Sequence, residues 1–297
     1  MNHEAGGVPH HVVRRWLVPV SMLLLASCHK PVSAPVTQHV HYEVGPAYHA
    51  DGVWLYPRQE FAYRETGLAV VDSNIAPRVT GDGELYDPKA MTGAHPTLQL
   101  PVQVTVRNLD NGRQITIRLN DRGPVPHGRL LSITPQAAVA LGMGSEPTRV
   151  EVIEDDLPSR TFAETLPGGP LLDMTAAPVG NVEVETLGVG AKASPAAAPV
   201  TTQLGPRQPV RLPDLPVAYM QSFPTTGSLW IEVGRFTRRP YAEMEARTSN
   251  GTVQLTTDNS GPAWAVRVGP FQTVNEADTA LDRALALGLT GAHIVVE

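Results

Sequence analysis

Between Val102 and Asn120, apolar residues fall at every second position on both sides of an Asn111-Gly112 dipeptide: Val102, Val104 and Val106 before it, Ile115, Ile117 and Leu119 after it. Side chains of an extended chain alternate between two faces, so this pattern buries one face of each segment, and Asn-Gly accepts the positive φ of a tight reversal. Two paired strands result. A closing strand is predicted at Thr148 to Glu154. Thr134-Pro135, with Gly142 behind it, predicts a short helix with Thr as N-cap and Pro at its first position. Many short strands and one small helix predict a small β-barrel over about residues 60–157.

The hairpin joins two polar runs. Thr80 to His95 holds three carboxylates (Asp82, Glu84, Asp87) and the imidazole of His95 among turn-forming glycines, and Asn120 to Pro124 adds Asp121. Acid–base chemistry needs such groups close together. Asp82, between two glycines, reads as a plain turn residue. N-D-R-G-P is itself favourable turn composition, so by residue type alone Asp121 and Arg122 also fit a solvated turn. His127, beside Pro126 and Gly128, reads as a loop residue at the rim.

The chain of 297 residues has a formal charge of −6, which argues against a nucleic-acid or anionic-lipid surface. A neutral polymer suits it better. No hydrolase elbow, zinc helix or phosphate-cradling loop is present, so no cofactor or metal is expected. His39 and His41 read as solvated side chains rather than ligands.

Arg14 and Arg15 precede an apolar stretch, Trp16 to Leu25, that is too short to span a bilayer, and Leu25-Ala-Ser-Cys28 ends it. This tetrapeptide resembles a bacterial lipobox. Residues 1–27 are therefore expected to be a signal peptide, and Cys28, the only cysteine, the site of lipid attachment. His29 at the next position implies export to the periplasmic face of the outer membrane. Residues 28–59 read as a tether. A coil of about 30 residues reaches roughly 30 Å. Residues 158–226, rich in Pro, Ala and Gly, read as a flexible linker of roughly 45 Å.

The runs G-E-L-Y-D-P-K-A-M-T-G-A-H, V-R-N-L-D-N-G-R, L-N-D-R-G-P and G-R-L-L-S-I-T-P-Q-A-A-V-A-L-G-M, in this order, resemble the rare lipoprotein A (RlpA) family. The resemblance implies a six-stranded double-psi β-barrel acting on peptidoglycan glycan strands. It places the family's catalytic positions on Glu84, Asp87, His95 and Asp121. Asp121 would be the general acid, the crowding of acids keeping one of them protonated. Glu84 and Asp87 would orient substrate and hold charge, and His95 would bond a carboxylate or sugar hydroxyl. Arg122 would pair with an acid and fix the loop, and Asn120 would contact substrate. Two positions depart from the family's pattern. Gly67-Leu68-Ala69 runs on where an aromatic Trp-Tyr-Gly segment is usual, and Ser132 stands where the family has Asp.

Residues 227–297 contain a repeat, Trp230-Ile-Glu-Val-Gly-Arg-Phe236 and Trp264-Ala-Val-Arg-Val-Gly-Pro-Phe271, each a strand leading into a helix. Thr273 and Glu276 predict a capping box, Gly288 a stop, and His293 to Val296 a last strand. Two β-α-β units make a small α+β domain of ferredoxin or RNP type, so the chain as a whole is mainly β plus α+β. The repeat resembles a SPOR domain, which implies binding of stem-free glycans at division sites, with Trp230 and Phe271 as contacts and Glu232 where Gln is usual. Core packing is the competing reading for at least three of Trp230, Phe236, Trp264 and Phe271.

Three functions remain open. The first is a lytic transglycosylase on stem-free strands, anchored through Cys28 and enriched at the septum. The second is a non-catalytic glycan-binding lipoprotein, and the third a scaffold recruiting cell-division proteins.

Overall fold

The computed structural model of the chain describes residues 38–124, 126–170, 210–225, 227–258 and 261–297. The expected signal peptide, Cys28 and most of the Pro- and Ala-rich stretch lie outside these residues.

A short hairpin, β1 (Tyr48–Ala50) and β2 (Val53–Leu55), precedes the barrel. The barrel itself is built from β3 (Arg64–Val71), β4 (Thr92–Ala94), β5 (Val102–Asn108), β6 (Arg113–Asp121), β7 (Leu131–Ile133) and β8 (Thr148–Glu154). Helix α1 (Pro135–Leu141) lies between β7 and β8. Lateral order is β4-β7-β3-β8-β5-β6, and β6 pairs back with β4, so six strands close on themselves. The β3/β7 and β4/β6 pairings are parallel and the others antiparallel. This is the expected barrel of the double-psi type.

Its interior follows from the alternation. In the β5–β6 hairpin Val102 stands opposite Leu119, Val104 opposite Ile117 and Val106 opposite Ile115, and all six are buried. Gly112 supplies the left-handed residue of the reversal, at φ 77°. Thr134 caps α1 by accepting from the Ala137 N–H, and Gly142 ends it in the left-handed conformation. Outward-facing residues of β6 should be solvated, yet Arg118 and Asn120 are only 4% exposed. The Thr80–Tyr86 loop covers them, and there the functional chemistry gathers.

Two stretches read as tether and linker are partly structured. From residue 38 the chain packs on the barrel: Val40 and Tyr42 are buried, and Glu43 exchanges backbone hydrogen bonds with Leu100. Residues 156–165 form helix α2 (Asp156–Thr165). After the undescribed stretch, Leu212 joins Val40, Tyr42, Ala163 and Leu166 in one apolar cluster, and β9 (Met220–Gln221) adds to the edge of β6. The rest of the expected linker, 171–209, lies outside the described residues.

The C-terminal part contains β10 (Leu229–Phe236), α3 (Arg239–Ser249), β11 (Thr252–Asp258), β12 (Gly261–Phe271), α4 (Val274–Ala286) and β13 (His293–Val296), with an antiparallel sheet ordered β11-β12-β10-β13. Ala242, Ala246, Ala277 and Leu281 of the helices bury against Leu229, Ile231 and Val266 of the sheet. Both halves of the capping box form: Thr273 accepts from the Glu276 N–H, and Glu276 accepts from the Thr273 N–H. This domain touches the barrel. Thr66 on β3 donates its hydroxyl to the Val296 carbonyl (2.9 Å) and accepts from the Val296 N–H (3.0 Å).

Candidate active site on the barrel

The acidic loop is a tight turn tied to the end of β6. Thr80 N–H donates to the Glu84 carbonyl (2.9 Å), and Gly83 N–H donates back to the Thr80 carbonyl (2.9 Å). Gly83 sits at φ 86°, and a Cβ there would lie 2.2 Å from the His39 carbonyl oxygen, so only glycine lets residues 38–41 run alongside. Asp82 N–H donates to the Asn120 carbonyl (3.1 Å), fastening the turn to β6.

Glu84 is nearly buried, with both oxygens engaged. Oε1 accepts from Arg118 Nη2 (2.8 Å) and Oε2 from Asn120 Nδ2 (2.7 Å). Arg118 also donates to the Pro213 carbonyl (2.9 Å). Glu84, Asp87, Asn120 and Arg118 line one cleft of about 250 Å³. Asp87 is exposed there, and its carboxylate accepts from the Lys89 N–H (2.8 Å).

Asp121 lines an adjoining notch of about 10 Å³, which shares Tyr86, Thr92 and Asn120 with the cleft. Its Oδ1 accepts from the N–H groups of Gly81 (3.1 Å) and Arg122 (2.9 Å), and its Oδ2 from Arg78 Nε (3.2 Å). Strand pairing sets the register: Ala94 of β4 lies between Asp121 of β6 and Ser132 of β7, so Ser132 lines the same notch. Asp72, at the end of β3, lines it as well and takes Arg78 Nη2 at 2.6 Å. The Arg78 guanidinium lies 3.8 Å from the centre of the Tyr86 ring.

The other expected residues sit differently. His95 reaches no carboxylate. Its Nδ1 accepts from the N–H groups of Thr97 and Leu98 (both 3.1 Å), so the ring proton is on Nε2 and is donated to the Tyr63 hydroxyl (3.0 Å). Burial pushes its pKa down to about 3, leaving a neutral ring. Only its backbone meets the site, donating to the Asp121 carbonyl (3.1 Å). The Arg122 guanidinium donates to the carbonyls of Leu98 and Val44 instead of to an acid. It fastens the end of β6 to those two backbones, while the acids are paired by Arg78 and Arg118. Neither arginine has a spacing signal in the sequence.

Asp82 is the larger surprise. The carboxyl read as a turn residue is fully buried; Oδ1 accepts from the Thr80 hydroxyl (2.8 Å) and the Glu84 N–H (3.1 Å), and Oδ2 has no partner. Burial first, and the Glu84 charge second, raise its pKa to about 7. The mutual repulsion expected among the cleft acids is thus found one residue from a glycine turn.

In the C-terminal domain Phe236, Trp264 and Phe271 pack against the core, and Trp230 is half-buried beside Gly269. Glu232 is buried in ion pairs with Arg267 (2.9 Å) and Arg235 (2.5 Å), not offered to solvent.

A closed barrel of this topology, with acids gathered at its β4–β6–β7 edge, defines a domain of the lytic transglycolase class, and residues 63–152 match the family model so described. The endolytic peptidoglycan transglycosylase RlpA of Pseudomonas aeruginosa (strain UCBPP-PA14) is 30% identical over 279 residues, covering 90% of this chain and 79% of that protein. The protein of the same name from Escherichia coli (strain K12) is 27% identical over 275 residues, 74% and 75% of the two chains. A 73-residue stretch of the Yersinia pestis protein of that name is 48% identical, covering 25% of this chain and 20% of that one. The chain belongs to the RlpA family.

Proposed function

We propose that this chain is a peptidoglycan lytic transglycosylase that cleaves glycan strands lacking stem peptides and leaves anhydromuramyl ends. The observation that carries this reading is the continuous cleft and notch in which Glu84, Asp87 and Asp121 line the edge of a barrel of this family. In such a cleavage the bond from the sugar C1 to the leaving oxygen breaks, and that oxygen takes a proton from the enzyme. The 6-hydroxyl of the same sugar attacks C1 and returns a proton to the enzyme, so no water is consumed.

Asp121 is assigned the proton transfer. Both Glu84 oxygens are committed to Arg118 and Asn120, which suits a fixed negative charge opposite an oxocarbenium-like centre. Asp87 and Asn120 orient substrate. The C-terminal domain binds glycan as a SPOR domain, and lipid on Cys28 anchors the protein to the periplasmic face of the outer membrane, with enrichment at the septum and contact with division proteins. Incubating the purified chain with amidase-treated sacculi tests the reading. Anhydromuramyl products are expected by mass spectrometry, and Asp121→Asn is expected to abolish them; undiminished product from that variant overturns the assignment of the acid.

A second reading, glycan binding without cleavage, is favoured by Ser132, which puts a hydroxyl beside Asp121 where the family has a carboxylate. Sedimentation with sacculi and no product would support it.

A further inference from the structure

A cavity larger than the acidic cleft lies elsewhere on the molecule. A space of about 540 Å³ opens where the β1–β2 hairpin, the barrel and the C-terminal domain meet. Cavities of about 300–1,000 Å³ are the usual size for enclosing a small ligand. Two aromatic residues of the hairpin segment line this one, Trp54 and Tyr56, 57% and 65% exposed. Large aromatic side chains are normally spent on burial, so two of them left open to one cavity call for a ligand.

The hairpin is held in place rather than free. The Trp54 ring packs edge-on to His49, with centroids 5.6 Å apart. The Tyr48 hydroxyl donates to the Pro96 carbonyl (2.9 Å), and Asp51 at the tip takes both the N–H (3.1 Å) and the ring Nδ1 (2.6 Å) of His127.

Charge narrows the ligand. The charged groups of the wall already have counter-ions: Arg235 takes Glu65 at 2.8 Å and Glu232 at 2.5 Å, Arg58 takes Glu60 at 2.9 Å, and Arg129 takes Asp278 at 2.7 Å. The hydroxyls of Thr97 and Thr290 line the same space and bond to no described residue. Exposed rings, free hydroxyls and compensated charge together suit an uncharged ligand with apolar ring faces and many hydroxyl and amide groups.

We propose that this cavity is a second carbohydrate site, separate from the acidic cleft, which takes a short N-acetylhexosamine oligosaccharide. Trp54 and Tyr56 lie against the C–H faces of its sugar rings, and Thr97 and Thr290 bond its polar groups. The choice of sugar rests on the reading of the chain as a glycan-acting protein. A strand held there would be gripped by both domains at once.

Titration calorimetry of the full chain with chitotetraose tests this. The parent and Asp121→Asn are expected to bind alike, and Trp54→Ala/Tyr56→Ala to bind about tenfold more weakly or worse. Trp54→Phe, which keeps a ring at an exposed position, should retain most of the affinity and excludes misfolding as the cause. A parent that does not bind chitotetraose, or a double variant that binds as the parent does, overturns the proposal. Sacculus digestion by the same proteins separates the two readings. Anhydromuramyl products with Trp54-independent binding would sink the second site alone; Trp54-dependent binding without products would sink the enzyme alone.

Discussion

A buried carboxyl with an unpartnered oxygen is more stable protonated than charged, and Asp82 is such a group. Its ordinary pKa near 3.8 is raised to about 7 by the fold. Between those values the unfolded chain has lost the proton that the folded chain keeps, so rising pH weakens the fold across that window. The effect is on the order of 4 kcal/mol when complete. Asp82→Asn removes it: denaturant unfolding of the variant is expected to show a flatter pH dependence from about pH 4 to pH 7 and greater relative stability above it. At Glu84 the charge is the counter-ion of a buried guanidinium. Glu84→Gln leaves Arg118 unpaired and is expected to cost about 3–5 kcal/mol in unfolding free energy. Activity lost in that variant has to be compared with the folded fraction measured in the same tube.

At the scale of elements, what could be read from sequence was what is local. The β5–β6 hairpin, β8, α1 with both caps, α4 with its capping box, and β13 all announce themselves through periodicity or terminal residues a few positions apart. Thr134→Ala is accordingly expected to cost about 1 kcal/mol in denaturant unfolding, the usual loss for an N-cap hydroxyl. Strands β4 and β7 were not legible: each has three residues, too few for a period, and each forms only because distant strands pair with it. Helix α2 was masked by Pro158, which reads as linker composition. It stands in the first helical turn, where its missing N–H has no intrahelical partner to lose. Val40, Tyr42 and Val44 alternate, but three positions among histidines and prolines are too few to mark a packed segment. The site was legible to the same degree. Glu84 and Asp121 stand in the matched runs, whereas Arg78, Asp72 and Arg118 look like solvated charges until β6 and the loop after β3 bring them to the acids.

For the whole molecule, the barrel and the C-terminal domain meet through an apolar contact, in which Leu68 and Leu109 join the C-terminal core, and through charged pairs. His127 is the clasp most open to titration. Its Nδ1 meets Asp51 of the hairpin (2.6 Å) and its Nε2 meets Asp282 of α4 (2.8 Å), with the Arg129–Asp278 pair alongside. The Asp282 hydrogen bond first, and those from Asp51 after it, raise the imidazole pKa above its ordinary value. The stabilisation is therefore complete below the ordinary histidine range and is lost as pH rises through the raised value. His127→Gln is expected to lower the unfolding temperature at about pH 5.5 and to match the parent near pH 9. A gap that persists at the higher pH would show that the ring serves only as packing.

The apolar cluster of Val40, Tyr42, Ala163, Leu166 and Leu212 has one more consequence. It seats the residues on both sides of the 171–209 stretch in the same patch of the barrel, and β9 then stitches the returning chain to β6. The described chain therefore stops at residue 170 and resumes at residue 210 against one apolar cluster, so the C-terminal half is tied to the barrel by packing on that cluster as well as by the covalent chain.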